Sequence, residues 1–534
     1  MSGEIVIHAL KGSIIQSRSG RDPAPVSGAG ARDYDREFHL DLPKVLRGAV
    51  IKINGEAVNT GKMPWDNRNE SAETAFHIGA RTLKEADGSA VVEEARFHLD
   101  KRCIAPGERV AFTFYMPLFD LEPGRYRLEV NMLKEHSFWF DDRGVAAESF
   151  EFVMPAIPAC VKTRVRHGTS CKEAPILLCA PTLPRHDRSS GENRLFEIVK
   201  LLRRHGCPVT YLCEKITSTD FVYQKKLKQL GVASFDKPFE FFGDLKGDEF
   251  ICCIFSWYDF ASRYMGMAKI VLPQAKMVVD SMDLHWVRQE RGQAAGALEL
   301  APEELAKDKE REKKAYRSAD IVWAVTGEDR QAILKEIPDC QVSVVSNIHR
   351  KQAQYLGKGP QGNGILFVGN FRHPPNEGAA LWGHRIFLKF REVSGADAVY
   401  YIVGADPTPA VKALHDGKTT VVTGYVADLY QYYQRSKVML APLAYGSGIK
   451  GKICHAIASG LPVITTRVGN EGIGLVDKKE AFVADTSEEF IQCLMEVFSG
   501  RVDVRKMQAS ALRRVLGVTS ERKVWKALYT SLFM

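Results

Sequence analysis

The sequence predicts a multidomain chain: an N-terminal antiparallel β-sandwich followed by two Rossmann-like α/β domains in series. Three observations carry that expectation. Up to about Arg164, short β-rich runs are punctuated by Gly, Pro and Asn, and no long amphipathic helical pattern intervenes. From Pro175 the rhythm changes to strand, loop, helix, strand. After Asn347 and a loop rich in Gly (Gly357, Gly359, Gly362, Gly364), the same rhythm begins again.

The sandwich strands are expected at Ala49–Ile53, Val91–Leu99, Arg109–Tyr115, Tyr126–Leu133 and Glu148–Val153. Arg125-Tyr126-Arg127-Leu128-Glu129-Val130 alternates with the period of a half-buried strand. Pro106-Gly107 and Pro123-Gly124 read as turns between strands. This domain is placed at 1–164, and the basic, polar stretch Val161–Lys172 reads as a linker.

The middle domain, 172–346, opens on the apolar run Ile176–Cys179. Leu195, Ile198, Val199 and Leu202 then recur at helical spacing, Gly206 stops the helix, and Val209–Leu212 is the next strand. Further strands are expected at Ile251–Phe255, Met277–Asp280, Ile321–Val325 and Val342–Val345, with a polar helix over Pro302–Arg317. The last domain, 347–534, has runs at Ile365–Val368, Val399–Val403, Thr420–Val422, Val438–Ala441, Pro462–Thr465 and Ala481–Ala484. Its final segment, Ser520–Leu532, can place Val524, Ala527, Leu528 and Leu532 on one helical face. Two open parallel sheets in series predict a ligand crevice at the carboxyl ends of their strands.

No stretch approaches 18 continuous apolar residues, and the start of the chain lacks a basic, apolar signal pattern, so a cytoplasmic protein is expected. Eleven cysteines without metal spacing read as reduced, buried thiols. Net charge is +8, and it is uneven: from Asn347 onward there are 24 Lys+Arg against 15 Asp+Glu, whereas Cys171 to Ser346 holds 26 of each. A basic last domain favours an anionic ligand such as a nucleotide diphosphate, or an anionic membrane surface. No basic stripe alternates with aromatics, so nucleic acid is not an expected partner.

The densest Gly and polar cluster is Ala444-Tyr445-Gly446-Ser447-Gly448-Ile449-Lys450-Gly451-Lys452, entering a helix over Ile453–Ser459. Glycines let backbone amides approach an anion, a helix start adds partial positive charge, and Lys450 adds a full one. The spacing is not that of a Walker loop. On pattern alone the cluster is either a phosphate site or a plain Gly-rich turn. Three further loops follow strands: Gly369-Asn370-Phe371-Arg372, Gly404-Ala405-Asp406 and Gly424-Tyr425. Arg372 reads either as a phosphate clamp or as a solvated loop residue. In the middle domain, Pro181–Arg194 and Asp280–His285 also follow strands. A carboxylate and an imidazole there could orient or deprotonate a substrate hydroxyl, or Asp280 could cap a turn and His285 pack inside. The Asp280/Asp283 spacing has no accompanying His or Cys ligand set, so no metal site is expected.

Taken in order, Leu366–Asn376, Val403-Gly404, Val422–Gly424, Ala441–Leu443, Gly446–Lys452, Ala456–Thr466 and Gly469–Ile473 resemble the donor domain of retaining family 4 glycosyltransferases. Asp187–Gly191 and Asp280–His285 before Arg288 are similar to the acceptor domain of that family, so the resemblance covers roughly 172–534. It implies the GT-B fold and a metal-independent hexosyltransferase with no cofactor, whose partners are a nucleotide-sugar donor and a glycan or lipid-linked acceptor. It further implies that Arg372 and Lys450 neutralise the donor diphosphate, with Asp283 and His285 at the reacting groups. Gly369, Asn370, Gly404, Gly424, Tyr425, Ser447, Gly448, Ile449, His455 and Glu471 would bind the donor. Asp187, Ser190, Gly191 and Arg194 would bind the acceptor. One departure stands out: the family's two Glu, separated by seven residues, are replaced here by Ser447 and His455.

The first segment resembles the carbohydrate-binding β-sandwich of O-antigen polysaccharide ABC exporters, through Asn59-Thr60, Pro64-Trp65, Ile104–Glu108, Pro123–Tyr126 and Trp139–Asp141 before Gly144. This implies carbohydrate contacts at Trp65 and Trp139, although a Trp buried in the sandwich fits equally well. The resemblances together imply a role in bacterial surface-polysaccharide (O-antigen or capsule) assembly, with peripheral membrane or assembly partners. The rival readings are a non-catalytic glycan-binding scaffold and a GT-B sugar-nucleotide epimerase.

Overall fold

A computed structural model describes residues 16–17, 36–40, 44–46, 50–67, 76–84, 91–98, 103–118, 121, 124–134, 138–143, 145–154, 171–246, 249–351 and 362–534. Pro123, Gly144, the linker before Cys171 and the glycines at 357 and 359 lie outside them. The chain falls into two compact units. The first holds Met1–Thr163 with Pro238–Glu249 and Arg263–Gln274; the second holds the rest.

In the first unit the strands are β1 (Gln16–Ser17), β2 (Arg36–Leu40), β3 (Lys44–Leu46), β4 (Val50–Asn59), β5 (Trp65–Asp66), β6 (Phe76–Lys84), β7 (Val91–His98), β8 (Cys103–Ile104), β9 (Arg109–Pro117), β10 (Gly124–Lys134), β11 (Phe138–Trp139) and β12 (Glu148–Met154). One antiparallel sheet runs β1-β12-β10-β6-β7, with β11 on β10; another joins β2, β3 and β9 to β4. The alternation read at 125–130 is real: Tyr126, Leu128 and Val130 point inward. They share one core with Ile51, Ile53, Phe114 and Met116 of the other sheet. Helix-compatible residues far along the chain join this unit, where the Phe239 ring stacks on Tyr115 at 5.2 Å and Lys52 pairs with Glu240 at 3.2 Å. Strand periodicity could not reveal that, because the contact lies 188 residues away in sequence.

The second unit carries two parallel sheets. The first contains β13 (Ile176–Cys179), β14 (Val209–Leu212), β15 (Ala233–Phe235), β16 (Cys252–Ser256), β17 (Lys276–Asp280), β18 (Ile321–Ala324) and β19 (Val342–Val344), in the order β15-β14-β13-β16-β17-β18-β19. Only β15 was not expected, and its side chains are largely exposed, so it carries no apolar signal. The second contains β20 (Gly364–Val368), β21 (Tyr400–Val403), β22 (Thr420–Gly424), β23 (Ser436–Ala441), β24 (Val463–Thr465) and β25 (Phe482–Val483), in the order β22-β21-β20-β23-β24-β25. In each sheet the strand order reverses beside the first strand, β13 or β20, which opens a crevice at its carboxyl end.

The helices that matter for the crevice are α1 (Ser190–Arg204), α2 (His285–Ala294), α3 (Pro302–Ser318), α4 (Pro374–Ser394), α5 (Gly451–Ala458) and α6 (Glu521–Phe533). Ser189 caps α1, its hydroxyl accepting from Glu192 N, and Leu195, Ile198, Val199 and Leu202 are buried as their spacing predicts. The last helix, α6, buries Val524, Leu528 and Leu532 in the core of the first parallel sheet, with Ala527 packed against it. There Lys276 Nζ donates to Ser531 O at 3.0 Å and Trp323 Nε1 to Ser531 Oγ at 3.1 Å. The chain therefore ends on the domain it left at Asn347. Burying one aliphatic side chain such as Leu528 contributes about 1.5–3 kcal/mol to that attachment.

Candidate active site

The crevice is built by loops that leave the strands at their carboxyl ends. On the side of the second sheet, β20 runs into Gly369 and Asn370, and β21 into Gly404. These two turns touch: a Cβ at Gly404 would lie 1.6 Å from Gly369 O, so only glycine fits. Asn376, buried at the start of α4, donates through Nδ2 to Asn370 O at 2.6 Å and meets Lys452 Nζ through Oδ1. The loop after β23 leads through Gly446, Ser447 and Gly448 into α5. Gly448 has φ 65 and lies against Asp283 across the crevice, where a Cβ would be 3.5 Å from Asp283 Cβ.

On the facing side, β17 runs into Ser281, Met282 and Asp283, and α2 begins at His285. Buried Glu312 of α3 accepts from the backbone N–H of His285 (3.2 Å) and Trp286 (3.0 Å), capping α2, and burial pushes its carboxyl up to about 7. His285 Nε2 lies 3.2 Å from Asp283 Oδ1, and Arg288, one turn along α2, pairs with the other carboxylate oxygen. Burial opposes ionisation of Asp283, but Arg288 and the hydrogen bond from His285 outweigh it and hold this carboxyl well below the usual range. Ser447 Oγ donates to Asp283 Oδ2 at 3.3 Å, so the glycine loop of one domain meets the Asp-His pair of the other.

Cations gather on the loop side. Lys450 Nζ donates to the carbonyls of Ser447 (3.1 Å) and Gly448 (2.7 Å), pinning its own loop. Lys452, two residues on, lies 4.8 Å over the Phe367 ring. Burial, and next the charge of Lys450, push the Lys452 ammonium down to about 7; burial likewise lowers Lys450. His373 opens onto the crevice, yet protein surrounds most of its ring. Burial, with Arg288, Lys452 and Lys450 nearby, lowers it to about 4, so it is neutral at pH 7. The N-termini of α1 and α5 converge here too, a Cβ at Gly451 falling 2.1 Å from Ser190 Oγ. Two helix starts and two crowded lysines make a place where an anion is electrostatically favoured.

The structure brings together Asp283, His285, Ser447, Gly448 and Lys450. Ile449 is buried beneath the same loop, and Glu471 holds Arg291 of α2 at 2.7 Å. Tyr425 reaches the facing domain, its hydroxyl donating to Asp187 at 2.7 Å while the Arg188 guanidinium covers its ring at 4.1 Å. Asn370 Nδ2 also donates to Arg188 O, at 3.1 Å. Gly191 packs against Trp257, a Cβ there falling 3.5 Å from the ring. His455 meets Tyr433 Oη through Nδ1 at 3.1 Å, and burial lowers its pKa. With Nδ1 engaged, Nε2 is the atom left to face a ligand, so His455 cannot reproduce a carboxylate that accepts two hydroxyls.

Several expectations need correction. Arg372 does not stand with Lys450: its guanidinium is 76% exposed and pairs with Asp406 at 2.8 Å. The cation beside Lys450 is Lys452, two residues on in the first turn of α5, a spacing visible in the sequence. Arg194 is not a surface ligand group. It is buried, pairs with buried Asp280 and donates to Val345 O at 2.7 Å, so its charge ties α1 to the sheet. Asp280 is accordingly neither a turn cap nor a substrate group. In the first unit Trp65 is fully buried, packed edge-on against Phe140 at 6.2 Å, and cannot stack on a surface sugar. Trp139 is half-buried over Gly79, with Arg81 4.9 Å above its ring. Arg288, His373, Asn376 and Arg291 are site residues that spacing did not single out, because their partners lie on the opposite domain or across a turn.

Residues 362–499 match the family model described as glycosyl transferases group 1. Solved structures agree on the architecture. TarM, from S. aureus, superposes with a TM-score of 0.55 at 10% identity, over 69% of this chain and 100% of its own. The two parallel-sheet domains have the GT-B fold. The Anabaena protein Alr3699/HepE, solved with UDP-glucose, gives a TM-score of 0.52 at 12% identity over 67% of this chain and 99% of its own. The pneumococcal O-GlcNAc transferase GtfA, solved with UDP and GlcNAc, gives 0.51 at 9% over 69% and 99%. No curated protein matches the sequence. The GT-B core thus spans the matched share, and its crevice is the one described above.

Proposed function

We propose that the chain is a retaining, family 4-type glycosyltransferase that moves a sugar from a nucleotide-sugar donor to a glycan or lipid-linked glycan in bacterial surface-polysaccharide assembly. The observation that carries the reading is the glycine loop with Lys450 and Lys452, set 3.3 Å from the Asp283–His285 pair through Ser447. The GT-B neighbours above were solved with UDP and GlcNAc or with UDP-glucose. In this reading the diphosphate lies on the loop amides and lysines. The acceptor hydroxyl attacks the anomeric carbon on the face the nucleotide leaves. The anomeric carbon–phosphate oxygen bond breaks, the glycosidic bond forms, and the proton passes to a departing phosphate oxygen. His285 and Asp283 position the sugar at that centre, and the lysines neutralise the leaving group in place of a metal. Gly404, Gly424 and Tyr425 would border the base. Among the described residues no helix is long and apolar enough to cross a membrane. We place the enzyme at the inner face of the cytoplasmic membrane, with the N-terminal unit as a sandwich that holds glycan or a partner protein.

The Ser447/His455 departure favours one second reading, a glycan-binding scaffold without turnover. A thermal-shift panel of UDP, GDP, dTDP, ADP and CMP, followed by nucleotide release from the matching nucleotide-sugars with and without EDTA, tests both. One nucleotide should stabilise the chain, and its sugar conjugate should turn over with chelator present. Stabilisation without release from any donor would favour the scaffold, and no stabilisation by any nucleotide would refute donor binding.

A further inference from the structure

The glycine loop after β23 is engaged across the crevice at Gly446, Ser447 and Gly448 in turn. Arg291 of α2 donates from Nη1 to Gly446 O at 2.8 Å while it pairs with Glu471. Ser447 Oγ reaches Asp283. The N–H of Gly448 donates to the carboxyl of Asp329. Arg291, Asp283 and Asp329 all belong to the first parallel-sheet domain, and two of them are acids.

Asp329 lies in the first turn of the helix Gly327–Glu336, which follows β18. Thr326 caps that helix, its Oγ1 accepting from Asp329 N at 3.0 Å. An acid at a helix start ordinarily faces solvent, as the neighbouring Glu328 does. Asp329 is instead only 5% exposed, and its Oδ2 has no hydrogen-bond partner. Packing sets the loop upon it. Gly472 lets Thr326 and Ile449 meet, a Cβ there falling 2.3 Å from Thr326 Cγ2 and 3.6 Å from Ile449 Cα. Burial raises the Asp329 carboxyl, while Thr326, Lys450 and the Gly448 amide draw it back toward the ionised form.

A backbone amide has one proton to give. A donor phosphate on the Gly448 N–H must therefore displace Asp329. A carboxylate left beside a diphosphate also repels it, and that repulsion is strong where water is excluded.

We propose that Asp329 is a built-in counter-anion of the donor loop: it holds the Gly448 amide between turnovers, yields it to the donor phosphate, and reclaims it as the nucleoside diphosphate leaves. It is a positioning residue, and it trades donor affinity for release of the product. The inference rests on the donor site proposed above.

Calorimetry on the full chain at pH 7 with UDP, GDP, dTDP and ADP tests it, the tightest binder being carried into the variants. Asp329→Asn keeps the shape and removes the charge. It should tighten that nucleotide about three- to tenfold and slow its dissociation in a chase by a similar factor. Asp329→Ser, also without the charge, should act in the same direction. Glu328→Gln, at the exposed acid one residue away, should leave affinity unchanged, which separates a local contact from a fall in net charge. A residue that only caps its helix would give unchanged or weaker binding in Asp329→Asn, and either result would overturn the proposal. Equal tightening by Glu328→Gln would overturn it too. In those cases the binding of a nucleotide by wild type leaves the transferase reading standing. If no nucleotide binds to wild type or to any variant, the donor site falls and the proposal with it.

Discussion

Two sets of buried or half-buried cations in the GT-B core look alike in sequence and differ in what surrounds them. Arg194 is sealed in the first domain, matched by Asp280 and by the Val345 carbonyl. Lys450 and Lys452 crowd each other at the crevice, answered by two loop carbonyls and an Asn oxygen. A compensated buried charge holds a fold together. A charge whose hydrogen bonds go to neutral acceptors, with the carboxyls of Glu471 and Asp329 acting on it only through space, is poised beside helix N-termini for an anion that arrives from outside. The partner, more than the residue type or its place after a strand, tells a structural cation from a ligand-binding one.

This contrast can be broken most severely by removing Arg194. Arg194→Ala leaves the buried Asp280 carboxyl without its partner and should cost about 3–5 kcal/mol of stability, read as a lower denaturant midpoint. Lys450→Ala removes two hydrogen bonds that pin the loop and should lower unliganded stability by only about 1 kcal/mol. It should weaken binding of the stabilising nucleotide by ~2–3 kcal/mol, roughly 30- to 150-fold by titration. Equal stability losses in the two variants would erase the distinction.

A pH series sharpens it. Lys452 titrates at about 7 in the fold, and an unfolded lysine near about 10.4. Between those values the unfolded chain holds a proton that the folded chain lacks, so this group's penalty is full below pH 7 and relieved as pH climbs toward 10. A bound diphosphate favours the ammonium, so nucleotide affinity should fall as pH rises above 7. Lys452→Met should flatten both trends in thermal midpoints recorded from pH 6.5 to 9, and an unchanged slope would show that Lys452 is not the titrating group. The smallest effect belongs to Arg372→Ala. Its exposed pair with Asp406 is worth about 0–1 kcal/mol, so stability should not change measurably and nucleotide affinity should fall less than in Lys450→Ala. A loss as large would mean that the side chain swings onto the phosphates.

Much of the GT-B core was legible because its strands are buried on both faces and read as continuous apolar runs, as at Ile176–Cys179 and Val438–Ala441. The face of α6 was legible from the spacing of Val524, Leu528 and Leu532. Edge strand β15 was not, since nothing covers its side chains. Nor was the union of Pro238–Glu249 with the N-terminal unit, which depends on a contact between Tyr115 and Phe239 that no local pattern encodes. Within the site, the loops were visible as Gly after strands. The roles of Arg194, Arg372 and Lys452 were not, because each is decided by a partner distant in sequence: Asp280, Asp406 and Asn376.

Calorimetric titration of the stabilising nucleoside diphosphate into wild type, Lys450→Ala and Lys452→Met at pH 8 tests the assignment of the glycine loop most directly. Wild type should bind with proton uptake, Lys452→Met without it, and Lys450→Ala weakly or not at all. Wild-type affinity and proton uptake retained in both variants would place the diphosphate elsewhere.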